Sequence, residues 1–206
     1  MGDRAAPEPV AAPSALESAG TPRPSGHLTV PARRSARHAR PSGEPKIEIV
    51  LIPKRAGTNL LSAAVDYRVA VRNVGAVDAR DVRFAIFMLS ASARQSADLQ
   101  TIFAAPIAQP AVQPFALAPG QEIELSGMAL LPRENVNLMT IDGKPWFVPV
   151  LAMKAEYRWG ESVGARGVVT AAHMIGIDRG EGAKMAPFRL DGSPRMYPGV
   201  AERRVA

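Results

Sequence analysis

The stretch Val65-Asp-Tyr-Arg-Val-Ala-Val-Arg-Asn-Val-Gly75 decides the fold class. Val65, Tyr67, Val69 and Val71 alternate with Asp66, Arg68, Ala70 and Arg72, the period of two that a β-strand imposes on its faces. Asn73-Val-Gly75 then supplies residues that tolerate the backbone of a tight turn. Upstream, Ile47, Ile49 and Leu51 repeat the alternation until Pro53, and Lys54–Gly57 reads as a turn. Downstream, Val82, Phe84, Ile86 and Met88 form a third strand.

One helix is expected to interrupt the strands. Ser92-Ala-Arg-Gln95 has capping-box spacing, with Ser96 a second candidate cap. Leu99, Ile102 and Phe103 make one apolar stripe before Pro106, and this helix is placed over a sandwich edge. Phe115 and Leu117 lead to a Pro119-Gly120 turn and a strand over 121–131 with Ile123 and Leu125 inward. Asp142-Gly143 marks another turn, Trp146–Trp159 a long strand broken or bulged at Pro149, Gly160–Gly167 a loop, and Val168–Ile177 the last strand.

The pattern gives an all-β, immunoglobulin-like antiparallel β-sandwich of about seven strands, spanning 46–178, with one short inserted helix. Residues 1–45 hold eight prolines and no Phe, Trp or Tyr, and are expected to be a disordered Pro/Ala/Arg-rich tail or linker. Residues 179–206 lack periodicity and are expected to be an irregular C-terminal extension.

Charge is unevenly distributed along the chain. Residues 1–45 carry six Arg/Lys against four Asp/Glu, residues 46–178 thirteen against twelve, and residues 179–206 six against three. The folded part is nearly neutral, which weighs against a nucleic-acid-binding domain. The absence of cysteine excludes disulfides, thiolate metal sites and a cysteine nucleophile. No run reaches the ~18 apolar residues of a membrane span. Charged residues and prolines interrupt the N-terminal apolar residues, unlike a secretory leader, so the chain as written is expected to be soluble.

Tyr67–Gly75, Asp81-Val82 and Leu117-Ala-Pro-Gly-Gln-Glu122 together resemble the bacterial immunoglobulin-like domains grouped as cell-adhesion-related repeats. There a strand ends in Asn-x-Gly, the next begins near Asp-Val, and a Leu-x-Pro-Gly turn precedes a later strand. More broadly, residues 46–200 resemble an uncharacterised protein family of sphingomonad-type alphaproteobacteria. Leu60-Leu-Ser-Ala-Ala-Val-Asp66, Phe103-Ala-Ala-Pro-Ile107, Phe147-Val-Pro-Val150 and Arg195-Met-Tyr197 carry that likeness. The resemblance implies a membrane helix ahead of a Pro/Arg-rich linker. This sequence has the linker without the helix, so either translation starts upstream or this member is soluble. No catalytic residue is implied.

Each candidate site has a plainer reading. Gly160-Glu-Ser-Val-Gly164 matches the Gly-x-Ser-x-Gly elbow, but that chemistry needs a strand-to-helix turn and these residues join two strands. His173, Met174, Met185 and Met196 could make a soft copper site, against a strand histidine with methionines filling core gaps. Asp66, Asp78, Asp81 and Asp142 fall in no calcium loop. Among Trp146, Tyr157 and Trp159, either Trp146 or Tyr157 is expected in the core, with Trp159 the best exposed aromatic.

The leading expectation is a non-enzymatic protein-interaction or scaffolding module of the bacterial cell envelope, with a protein partner and no cofactor or metal. Its expected contact residues are Arg33, Arg34, Arg37, Arg40 and Trp159. The alternative is a soluble protein whose arginine-rich tail binds nucleic acid or acidic surfaces, nucleic acid being the less favoured partner. A small serine hydrolase using Ser162 and His173 ranks last.

Overall fold

The computed structural model describes residues 43–160 and 165–206. It is an all-β antiparallel sandwich with one inserted α-helix, as the alternation predicts. Strands β1 (Ile47–Thr58), β2 (Ser62–Asn73), β3 (Ala79–Ser90), β4 (Phe115–Leu117), β5 (Glu122–Pro132), β6 (Met139–Ile141), β7 (Lys144–Phe147), β8 (Pro149–Arg158), β9 (Arg166–Ile177), β10 (Phe188–Arg189), β11 (Arg195–Tyr197) and β12 (Val200–Arg204) carry helix α1 (Gln95–Ala104) between β3 and β4. One sheet runs β11-β1-β2-β5, the other β12-β9-β8-β3-β4, and a small sheet β10-β7-β6 stands apart. The orders β1-β2-β5 and β3-β8-β9 match the A-B-E and C-F-G strands of an immunoglobulin-type sandwich.

The inward residues of both sheets form one core. Ile47, Leu51, Val65, Tyr67, Val69 and Val71 of the four-stranded sheet share it with Val82, Phe84, Leu151, Met153 and Ile175 of the five-stranded sheet. Two tyrosines of this layer lie over cross-strand glycines. Tyr67 pairs with Gly127 and Tyr157 with Gly167. A Cβ on Gly127 would stand 2.8 Å from the Tyr67 hydroxyl, and one on Gly167 would stand 2.4 Å from Tyr157 Cζ.

Asn73 ends β2 fully buried and satisfies four polar groups at once. Its Oδ1 accepts from the backbone N–H of Lys46 (3.2 Å) and Gly75 (3.0 Å). Its Nδ2 donates to the carbonyls of Val77 (2.8 Å) and Leu117 (3.0 Å). Its own backbone binds Gln121 and Gly120 across the β4–β5 turn. The Asn-x-Gly and Leu-x-Pro-Gly turns of the sequence therefore meet on one side chain.

Several sequence expectations need correction. β1 continues through Pro53 with a register shift at Lys54, and the turn falls at Asn59–Leu61. Beside Pro53, β1 is paired only with β2, because β11 covers just Ala56, Gly57 and Thr58, so proline meets an open edge. The capping box does not form. Arg94 is the N-cap, without a side-chain bond, and Ser92 Oγ instead accepts from Arg94 N–H in the preceding turn. Helix α1 covers the outer face of the five-stranded sheet rather than an edge, with Leu99 packed on Val150, Ala152 and Ala172. The break near Pro149 is real and moves the chain from the small sheet (β7) to the large one (β8). Residues 179–206, expected to be irregular, contain three short strands, of which β11 and β12 complete an edge of each large sheet, and Phe188 is fully buried. Short strands of two to five residues leave no readable period. Residues 1–42, expected to be a disordered tail, lie outside the described residues.

Leaving a buried donor or acceptor unsatisfied costs about 1–3 kcal/mol. Asn73→Ala orphans several such groups and is expected to lower unfolding stability by at least about 3 kcal/mol in urea titration, while exposed Asn135→Ala changes it by less than about 0.5 kcal/mol.

Candidate functional site

The outer face of the four-stranded sheet is partly apolar. Val50 and Ile52 on β1, and Met128 and Leu130 on β5, are each 43–53% exposed. The ion pairs Arg55–Asp66 (2.9 Å) and Arg68–Glu124 (3.1 Å) run across the face between them. Met128, Leu130 and Pro132 share this face at successive i, i+2 positions of β5. The row leads to the β1–β2 turn, where Leu60 and Leu61 are each 78% exposed. That turn is well defined: Asn59 Oδ1 accepts from Leu61 N–H (2.9 Å) and Ser62 N–H (2.7 Å), and Arg133 N–H binds the Leu61 carbonyl (3.0 Å). Among the described residues β5 pairs only with β2, so its other backbone edge is open along an eleven-residue strand. The sequence carried a sign of this surface, because Met128 and Leu130 fall out of phase with Ile123 and Leu125.

The outer face of the five-stranded sheet is covered at one end by α1 and polar at the other. Lys154 is only 3% exposed there, and its ammonium binds the Ala105 carbonyl (2.6 Å) and Glu156 (2.7 Å). Glu156 also accepts from Ile107 N–H (3.3 Å), so one ion pair fastens the segment after α1 to β8. Tyr157 donates toward the Pro45 carbonyl (3.5 Å). Burial, and secondarily the Glu44 charge, raise its pKa above the ordinary tyrosine value. Near the small sheet, Arg189 lies 5.3 Å over the Trp146 ring and binds Asp191 through two 2.7 Å bonds. The Arg189 hydrogen bond holds the Asp191 carboxyl below its usual range.

The structure separates most of the sequence candidates. Arg33, Arg34, Arg37, Arg40 and Ser162 lie outside the described residues. Trp159 is half-buried, with its ring 6.0 Å from that of Tyr157. Tyr157 packs against the main core, whereas Trp146 stands half-buried on the small sheet and its neighbour Phe147 is the core residue. His173 and Met174 are consecutive in β9 and face opposite sides. His173 Nδ1 contacts Glu202, Met174 joins the cluster under α1 and lines a cavity with Met185, and Met196 sits in β11 of the other sheet. His173 also stands seven residues, about 23 Å, along β9 from Arg166, the strand end that the Ser162 loop joins. Asp66 pairs with Arg55, Asp78 with Arg80, and Asp81 with Arg83 and Arg158, while Asp142 occupies the β6–β7 turn. Among the described residues no three His, Cys, Asp or Glu side chains gather as a metal site.

Comparison with known protein families, curated proteins and solved structures finds no match to this chain.

Removing one partner of a buried ion pair strands the other charge at a cost of about 3–5 kcal/mol, and the partial exposure of Glu156 reduces this. Glu156→Ala is therefore expected to lower stability by about 2–3 kcal/mol in chemical denaturation. Lys154→Met combined with Glu156→Ala should recover most of the loss, giving a clearly non-additive double-mutant cycle.

Proposed function

We propose that this domain is a non-enzymatic protein-interaction module that accepts an extended segment of a partner protein along β5. The observation that carries the reading is the open edge of β5 beside the exposed row Met128, Leu130, Leu60 and Leu61. An added strand would use the backbone groups of that edge, and its alternate side chains would cover the apolar row. Native proteins usually blunt a long edge strand with charge, proline or a covering segment. Here Glu122 and Glu124 guard only one end, and the apolar residues concentrate at the other. The resemblance of the sequence to bacterial cell-adhesion-related repeats supports the cell envelope as the place where this happens.

A photo-crosslinking residue at position 61 or 130 of the full chain, expressed in its native cells, should give a discrete heteromeric adduct, while the same group at exposed position 94 gives none. Leu60→Asp with Leu61→Asp should abolish the position 130 adduct and, being surface changes, alter stability by less than about 0.5 kcal/mol. Equal labelling at all three positions, or an adduct of twice the chain mass, would overturn the reading. Recovery of the native protein wholly in the soluble fraction would remove the envelope assignment.

A further inference from the structure

The register of the five-stranded sheet brings together arginines that are far apart in sequence. Arg80 of β3 pairs with Arg158 of β8, and Arg158 pairs with Arg166 of β9, so three guanidinium side chains occupy one rung across adjacent strands. Like charges directly opposite on a sheet are destabilising. The arrangement is nonetheless built in detail. A β-bulge between Arg80 and Arg83 places Asp81 at a left-handed backbone conformation, φ 47°. From there its carboxylate reaches both Arg83 (3.4 Å) and Arg158 (3.6 Å). One carboxylate thus orients two guanidiniums, and Arg166 has no ion-pair partner among the described residues. The neighbouring Lys154–Glu156 pair closes the floor.

Beside the rung lies a cavity of about 430 Å³ lined by Arg83, Lys154, Arg158 and Arg166 against Asp81 and Glu156. Among the described lining residues, four cations face two carboxylates, an excess of two positive charges. Phe103 and Ile107 supply an apolar wall.

We propose that this cavity binds a phosphate monoester, with the dianionic phosphate held by Arg83, Arg158 and Arg166 and its organic group against Phe103 and Ile107. Guanidinium forks match phosphate oxygens in pairs, and a dianion neutralises the surplus charge that a single carboxylate would leave half unmet. The site is on the opposite layer from β5 and is independent of the protein-binding reading.

Phenyl phosphate is the first probe. Isothermal titration calorimetry on the full chain reads binding at the cavity directly. At constant ionic strength, phenyl phosphate should give a saturable heat of binding and raise Tm. Inorganic phosphate should bind at least about tenfold more weakly, and benzyl alcohol should not bind. Arg166→Gln, at an exposed position that does not endanger folding, should weaken phenyl phosphate at least about tenfold, as should Arg158→Gln. Lys144→Gln, on the remote small sheet, should leave it unchanged. Sedimentation with phosphatidic acid vesicles, competed by phenyl phosphate, would place the ester on a lipid. Soluble binding without sedimentation would place it on a soluble metabolite. No saturable response, or an undiminished response in Arg166→Gln, overturns the proposal.

Discussion

The sandwich hangs on the buried amide of Asn73. A strand end inside a protein leaves backbone donors and acceptors that water cannot reach, and each must find a partner. Asn73 supplies four from one side chain, tying the start of β1, the β2–β3 turn, the end of β4 and, through its backbone, the β4–β5 turn. Two of these, the β2–β3 turn and the β4–β5 turn, are points where the chain passes between the two sheets. With them pinned, the register of β2 against β1 and β5 follows, and with it the inward face that carries Val65, Tyr67, Val69 and Val71.

That dependence explains what the sequence revealed. Alternation was legible wherever one face of a strand is buried and the other solvated, as in β2. It was also legible at breaks with a steric cause, such as Pro149 and Asp142-Gly143. It failed where tertiary context overrides local preference. Pro53 continues a strand because its neighbour on one side is missing. The C-terminal strands are too short to show a period, yet they finish both sheets. The outward face of β8 is as buried as its inward one, so Val150 and Ala152 gave no alternation and the seat of α1 stayed hidden.

The candidate surfaces differ in the same way. Met128 and Leu130 are visible as apolar residues out of phase within one strand. The arginine rung is not, because Arg80, Arg158 and Arg166 become neighbours only once the pairing of three strands is known. Segment-by-segment charge balance hides it as well, since a nearly neutral domain can still concentrate its cations on one end of one sheet. His173 and the methionines, prominent in the sequence for their chemistry, are dispersed by strand parity.

The hairpin turn and the arginine rung lie at opposite ends of the sandwich. β1 starts beside Asn73 and the rung end, and its twelve residues run about 40 Å to the leucine turn. The two ends of β1 are therefore a full strand length apart. Lys46 and the Leu60–Leu61 turn stand at opposite ends of that strand. A strand added beside the leucine turn and an anion in the arginine cavity, if each binds as proposed, would not collide.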